Sequence, residues 1–532
     1  MTFLSFGFIL LFTLLAVLYF LLPQKFQWPL LLIFSYAFYF LASEKLPIYI
    51  LITTVITYFS VRGIQFFKDK ADLQIKSNPN ISKDDKKLLR AKSDKKRKAL
   101  LIIALCLNLG ILCVFKYTDF LFSNASTILN SLGVNTARKQ FNLLLPLGIS
   151  FYTFQSTGYI IDVYRKQAVA EKNFFKTALF VSYFPQIIEG PIGRFGKLAP
   201  QLFSEHRFSF DRTKKAVFLI LWGFFQKLVI ADNLAPMINE ISSNYLNYSG
   251  LTICIGMLLY GIQLYTDFSG YMDIAMGFSK ILGIDLARNF NRPYFSHNLA
   301  EFWRRWHISL CSWFKDYLFY PIFMSKKSMN LAKKLRSKGH KTAATNVPTF
   351  IAMAIVWFLT GLWHGACWTE IVWGFSNGLI MIFSQQFKHT YENINTKLHI
   401  KKDALSWRIF QVIRTYILVT LLNFICEFST LGDSVKSFSR IFTNPLPSSL
   451  SIASLLPVIV DNGIIILGVL FISCVLLFLH SLYEEKKGSV CEAICQRSWI
   501  LQSVVLLVLI FSILLFSGSS SGLTGGFMYA QF

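Results

Sequence analysis

His364 lies in the stretch VWFLTGLWHGACWTEIVWGFSNG, between two apolar runs, with Gly361 and Gly365 beside it and Trp363 and Trp368 flanking it. An ionisable side chain at that depth in an apolar segment is costly unless it faces a cavity, so a functional role is the first expectation. A neutral imidazole exchanges protons near pH 7, which is the chemistry of a general base. The two glycines allow a second helix or a ligand to approach the backbone closely. A histidine that only hydrogen-bonds an adjacent helix fits the same residues. His307 is the second candidate, in LAEFWRRWHISLCSWFKDYLFYPIF (299–323). Read as one helix at about 100° per residue, this segment separates two faces. Glu301, Arg304, Arg305, Ser312, Lys315 and Asp316 fall on one arc. Phe302, Trp303, Trp306, Leu310, Trp313, Phe314 and Tyr317 fall on the other, with His307 at its edge. Such a helix belongs at the bilayer boundary or lining a funnel into the protein, and an interfacial anchor with snorkelling arginines is the plainer reading.

Two further stretches, 146–165 and 265–291, set carboxylates and hydroxyls among apolar residues: Asp162 in the first, and Asp267, Ser269, Tyr271 and Asp273 in the second. Buried polar groups must find partners, so structural networks are expected here, with polar cavity lining as the alternative. Asn289 to Pro293 reads as a turn. The G-S-S-S-G at 518–522 satisfies a nucleophile-elbow pattern formally, but it follows an apolar span without a strand before it and reads as a flexible tail. No P-loop, dinucleotide fingerprint or His-Glu-x-x-His motif is present.

The elements that must hold these residues are membrane helices. Of 532 residues, 54% are apolar and 15% charged, with a mean hydropathy of +0.48. That balance excludes an ordinary soluble enzyme, and it excludes a nucleic-acid binder despite the net charge of +25. Twelve apolar runs are candidate spans: 3–22, 28–43, 47–61, 99–118, 142–164, 216–234, 250–279, 347–363, 367–387, 407–428, 455–479 and 499–517. The stretches 174–192 and 299–323 are interrupted and read as re-entrant or interfacial. The first run lacks a basic flank and a cleavage site and reads as a retained span. Nine cysteines without paired C-x-x-C spacing support neither a disulfide framework nor a zinc site, and no metal site is expected. The expected fold is therefore all-α, a single polytopic domain over 1–532 with about 11–12 transmembrane helices plus re-entrant or interfacial helices.

Charge orients it. Residues 62–98 carry 13 basic and 5 acidic side chains, 194–215 carry 6 and 2, 324–346 carry 7 and none, and 388–408 carry 5 and 2. These four segments hold 22 of the net 25 positive charges, and 235–249 contains no Lys or Arg. Basic loops stay cytoplasmic, so all four are expected inside, 235–249 outside, and both termini outside. The same basic segments suit contact with anionic lipid.

The ordered series GISFYTFQSTGYIIDVYR (148–165), FPQIIEGPIGR (184–194), YTDFSGYMDIAMGFSKILGIDLARNFNRPY (265–294), EFWRRWHISLCSWFKDYLFYPI (301–322) and GLWHGACWTEIVWG (361–374) resembles the membrane-bound O-acyltransferase (MBOAT) family. The resemblance is to the bacterial branch that contains alginate and peptidoglycan O-acetyltransferases and the teichoic-acid D-alanylation acyltransferase. It implies a catalytic core over 142–390 with a tunnel, carrying an acyl group from a cytoplasmic thioester to an external acceptor. It maps the family's invariant histidine onto His364 and its second conserved histidine onto His307. The last six residues, FMYAQF, look like the branch's F-x-Y-x-x-F motif, which makes Tyr529 a candidate acyl relay on an external tail (518–532), although Ala530 stands where an aromatic is usual. Acetyl-coenzyme A is the implied donor, with no permanently bound cofactor. Arg304, Arg305, Lys315 and Trp363 are its candidate contacts. The implied partners are membrane lipid, an extracytoplasmic SGNH-type acetyltransferase and, through it, an envelope polysaccharide, in the inner membrane of a bacterium. The competing readings are a transporter or flippase with a buried His/Asp proton relay, a D-alanyl transferase, and a non-catalytic scaffold.

Overall fold

The computed structural model describes residues 2–43, 47–136, 141, 143, 145–446 and 463–517. Among them there are helices and turns but no strand. Within the described residues, each of the twelve apolar runs overlaps a helix. Eight of these helices are long and apolar enough to cross a membrane: Pro47–Lys76, Lys83–Ser131, Phe210–Ser243, Gly250–Ile281, Lys341–His364, Leu405–Glu427, Ile465–Lys487 and Trp499–Phe516. The other four, Phe6–Leu21, Gln27–Ala42, Ile149–Tyr164 and Trp368–Gln386, are short or carry polar residues on a buried face, such as Thr369, Glu370 and Asn377. Among the described residues, eight helices therefore meet both the length and the composition of a span, and the other four expected runs overlap shorter or more polar helices.

The chain divides into two compact units. The first comprises Met1–Ala216 and Ala275–Ala287. Its interior holds a cluster of phenylalanines, in which Phe8 lies 5.3 Å from Phe38 and 5.1 Å from Phe278, and Phe12 lies 4.5 Å from Phe278, mostly edge-on or tilted. Here the basic segment 62–98 departs from expectation. Instead of a polar loop it is the continuation of two helices, Pro47–Lys76 and Lys83–Ser131, joined by a turn around Pro79. The physical reason is local. Lys, Arg, Leu and Ala are good helix formers, and the Ser82 hydroxyl accepts from the Asp85 backbone N–H at 3.0 Å to cap the second helix. Asp84 and Asp85 add negative charge to its first turn. The two helices are joined laterally where Ser93 Oγ donates to the Phe67 carbonyl at 2.8 Å. The buried Arg97 pairs with Asp94 at 2.7 Å and lies over the Tyr164 ring.

The stretch 174–192 is broken as expected. A helix over Phe174–Ser182, capped by the Asn173 side chain on Phe175 N at 2.8 Å, gives way to one turn over Phe184–Ile187 with Pro185 near its start.

The second unit comprises Val217–Ile274 and Arg288–Phe532 and contains both candidate histidines. In it, 324–346 holds a twelve-residue helix, Lys326–Ser337, that leads into Lys341–His364. All seven basic side chains of 324–346 are exposed. In a chain stripped of its native cysteines, single cysteines introduced in 62–98, 324–346 and 388–408 should react with an impermeant maleimide only after permeabilisation, and those in 235–249 in intact cells. Labelling of 324–346 from outside would reject the charge argument.

Candidate active site

His364 is the last residue of the Lys341–His364 helix and is 8% exposed. The helix stops because Gly365 is extended (φ −153°, ψ 145°), and the Trp368–Gln386 helix starts three residues later. The two pack backbone to backbone. A Cβ on Gly361 would lie 2.4 Å from the Glu370 carbonyl oxygen, and one on Gly374 would lie 2.5 Å from that of Trp357. The space at Gly361, open in the sequence reading to either a helix or a ligand, is filled by this second helix. The space at Gly365 is bounded by the Glu370 side chain, whose Cγ would stand 2.8 Å from an added Cβ. The hairpin leaves the His364 ring between two indoles, Trp363 and Trp373, each 4.8 Å away and near perpendicular. Trp373 and its neighbour Trp303 are held in turn. Trp373 Nε1 donates to Asn423 Oδ1 at 2.9 Å, and Trp303 Nε1, from a ring 5.7 Å from Trp373, donates to Asn377 Oδ1 at 3.1 Å.

His307 does not lie at the edge of one long amphipathic helix. The 299–323 stretch is a helix over Leu299–Arg305, a break at Trp306 and His307, a helix over Ile308–Phe314, a π-helical turn over Lys315–Phe319 and a last turn over Tyr320–Phe323. His307 takes a left-handed backbone conformation (φ 45°, ψ 50°) at the break. For a non-glycine residue this costs roughly 1–3 kcal/mol and persists only where surrounding bonds impose it. The bonds come from residues 289–291. Asn291 N donates to the Arg305 carbonyl at 2.9 Å, and Ile308 N to the Asn289 carbonyl at 2.9 Å. Asn289 Oδ1 accepts from Ser309 N at 3.0 Å and Ser309 Oγ at 2.8 Å, with His307 Nδ1 at 3.4 Å. Asn289, expected only to turn the chain, is therefore part of the site. The His307 ring is 1% exposed, meets Phe268 edge-on at 4.8 Å, and lies 6.2 Å from Trp363. Burial alone pushes its pKa down to about 3, so it is neutral at pH 7. Both histidines are thus neighbours of one indole, Trp363.

The basic candidates divide differently. Arg305 is engaged by Glu485, at 2.9 and 3.1 Å, and by Glu301 at 2.7 Å. Arg292 also meets Glu485, at 2.9 Å. Burial would raise the Glu301 carboxyl, but the His297 backbone N–H and Arg305 hold it below its ordinary value. Arg304 and Lys315 are exposed, with the Lys315 ammonium 5.7 Å from the Tyr320 ring. Tyr529 and the rest of 518–532 lie outside the described residues. No His, Cys, Asp and Glu cluster fit for a metal occurs among the described residues.

The carboxylates of the 265–291 stretch are bound into structural networks. Asp267 and Asp232 both pair with Lys227, the latter at 2.9 Å, and Lys227 and Asp267 are each 2% exposed. Gln226 donates to Asp273 at 2.8 Å and accepts from Ser269. Lys227 was missed from the sequence. Its signal was a lone lysine in an otherwise apolar run five residues before an aspartate. It sits in a π-helical turn, Phe225–Ala231. Removing one partner of a buried pair strands the other charge, at about 3–5 kcal/mol. Lys227→Met should therefore lower the thermal midpoint of the detergent-purified protein sharply, and a Lys227→Met/Asp232→Asn/Asp267→Asn triple should recover much of the loss.

The family model described as membrane-bound O-acyltransferase matches residues 165–426, which include both histidines and Asn289. A probable alginate O-acetylase of Azotobacter vinelandii is 38% identical over 278 residues, 52% of each chain. A peptidoglycan O-acetyltransferase of Helicobacter pylori is 32% identical over 315 residues, 54% of this chain and 56% of the relative. A teichoic acid D-alanyltransferase of Bacillus subtilis is 30% identical over 254 residues, 45% and 59%. The matches span about half the length of these relatives. The stretch matched by the membrane-bound O-acyltransferase family model thus holds both buried histidines in a chain whose described residues are helical and suited to a membrane.

Proposed function

We propose that this chain is a bacterial inner-membrane O-acyltransferase that takes an acetyl group from cytoplasmic acetyl-coenzyme A and passes it outward for O-acetylation of an envelope polysaccharide, peptidoglycan or alginate, with an extracytoplasmic SGNH-type partner. The observation that carries the reading is the pair of buried histidines on one indole, within the stretch matched by the family model, in a chain similar over about half its length to a probable alginate O-acetylase and a peptidoglycan O-acetyltransferase.

A thioester is already activated, so the site must remove a hydroxyl proton and keep water out. The acceptor oxygen attacks the carbonyl carbon, the C–S bond breaks, and the thiolate leaves with the proton that the base removed. The products are an ester and free coenzyme A thiol. His364 takes the role of base, because His307, held near a pKa of 3, is too weakly basic to accept a proton effectively at pH 7. His307 instead orients a reacting group as a neutral hydrogen-bonding ring. The surrounding indoles exclude the water that would hydrolyse the thioester. Exposed Arg304 and Lys315 are free to attract the donor's phosphates; Arg305 acts there only by exchanging its carboxylate partners for phosphate. Tyr529 serves as the outer acyl acceptor, forming a phenolic ester that the partner then transfers to sugar.

His364→Ala should leave the protein folded and reduce transfer of labelled acetyl from acetyl-coenzyme A by about 10²–10⁴-fold. His307→Ala should fall less. Purified full-length variants assayed with the partner present make the measurement, and near-normal turnover by His364→Ala would remove the base assignment. Offering D-alanyl donor in parallel tests the acyl group.

Tyr529→Phe should abolish product while preserving expression, and an acylated C-terminal peptide should be recoverable from the unaltered chain. Full acetylation by the Phe variant would assign the tail to docking instead.

A further inference from the structure

We infer that Asn289 is a positioning residue for His307, setting both its backbone turn and its imidazole tautomer. The inference rests on the reading of His307 as part of the acyl-transfer site, and deepens it. Asn289 is 1% exposed and lies 18 residues upstream of the histidine. Its carbonyl groups do two separate jobs. The backbone oxygen takes the Ile308 N–H at 2.9 Å, and the side-chain oxygen takes the Ser309 N–H at 3.0 Å and the Ser309 hydroxyl at 2.8 Å. Together they satisfy the first N–H groups of the Ile308–Phe314 helix, which His307 does not cap with its own side chain. On the other side of the break, Asn291 N holds the Arg305 carbonyl. The left-handed residue is therefore bracketed by bonds to 289 and 291, and its geometry is imposed from that segment.

The ring is set by the same oxygen. The Ser309 N–H requires an acceptor, which fixes the amide with Oδ1 toward Ser309 and Nδ2 toward Met272 Sδ, at 3.3 Å. An amide oxygen only accepts, so the imidazole nitrogen facing it, Nδ1 at 3.4 Å, carries the hydrogen and Nε2 carries the lone pair. Asn289 thus decides which nitrogen His307 offers to a reacting group.

An aspartate at 289 keeps every acceptor and an alanine keeps none of the side-chain ones, which separates this role from mere filling of space. In full-length protein, Asn289→Ala should lower kcat for acetyl transfer about ten- to a hundredfold, with the KM for acetyl-coenzyme A within about twofold of the unaltered value. Asn289→Asp should restore most of that rate. Rates are taken per folded molecule, with thermal unfolding followed alongside. Overturning results are an Asn289→Ala variant that is less stable but turns over normally, or an Asn289→Asp variant as slow as the alanine. If Asn289→Ala does not accumulate, a tenfold or greater loss in Asn289→Asp alone overturns the role. His307→Ala in the same assay separates the two levels. Normal transfer by that variant would fell the reading of His307 itself, whereas a slow His307→Ala beside a normal Asn289→Ala would fell only the positioning role.

Discussion

Direct backbone contact between the Lys341–His364 and Trp368–Gln386 helices governs where His364 stands. Gly361 and Gly374 remove the side chains that would hold the helices apart, and the sharp return at Gly365 to Cys367 lets the second begin almost where the first ends. Once they touch, Trp363 and Trp373 have little choice but to enclose the imidazole. Their edges meet it from two sides, and Asn423 fixes the second indole from a further helix. In an apolar bundle, where helix association gains little from hydrophobic burial, close contact through small residues and indole-to-amide hydrogen bonds supplies the specificity.

The polar interior follows a second rule: a group withdrawn from water is satisfied by another withdrawn with it. Lys227 with its two aspartates, and Gln226 with Ser269 and Asp273, use that rule for cohesion. Both sets join the helix following Phe210 to the Gly250–Ile281 helix. Around His307 the same rule produces strain held in place. The bonds from 289 and 291 keep a left-handed histidine that its own segment would relax, and burial keeps its ring neutral. One network holds spans together and the other presents a side chain.

Much of this was readable beforehand because an apolar run long enough to span carries its own evidence. The runs 250–279 and 499–517 became helices at nearly the expected places, Gly250–Ile281 and Trp499–Phe516. His364 was legible for the same reason, as a titratable residue enclosed by apolar sequence. The break at Trp306 and His307 was not. Neither residue is Gly or Pro, the periodicity of 299–323 continues through them, and the bonds that interrupt the helix come from a segment that reads as a turn. Lys227 was overlooked and Asn289 reads only as a turn, because a partner that gives each its role, 40 or 18 residues away, is brought beside it only by the fold. The room at Gly361 was seen, but only the fold says that a helix occupies it. The charged stretch 62–98 reads as a polar loop and is instead helical, since helix propensity continues where hydropathy ends.

That last element has a consequence for how charge acts on this protein. The Lys83–Ser131 helix has 49 residues, about 74 Å at 1.5 Å per residue, against about 30 Å of hydrocarbon. With Pro47–Lys76 alongside, it forms a two-helix arm longer than the hydrocarbon can cover, joined at Ser93. From Arg97 to Lys83 is 14 residues, about 21 Å along the axis, while the electrostatic reach in physiological salt is about 8 Å. Along the helix axis, the lysines near Lys83 thus lie beyond that reach from Arg97. Charge close to the apolar run 99–118 and charge near Lys83 therefore act on different surroundings.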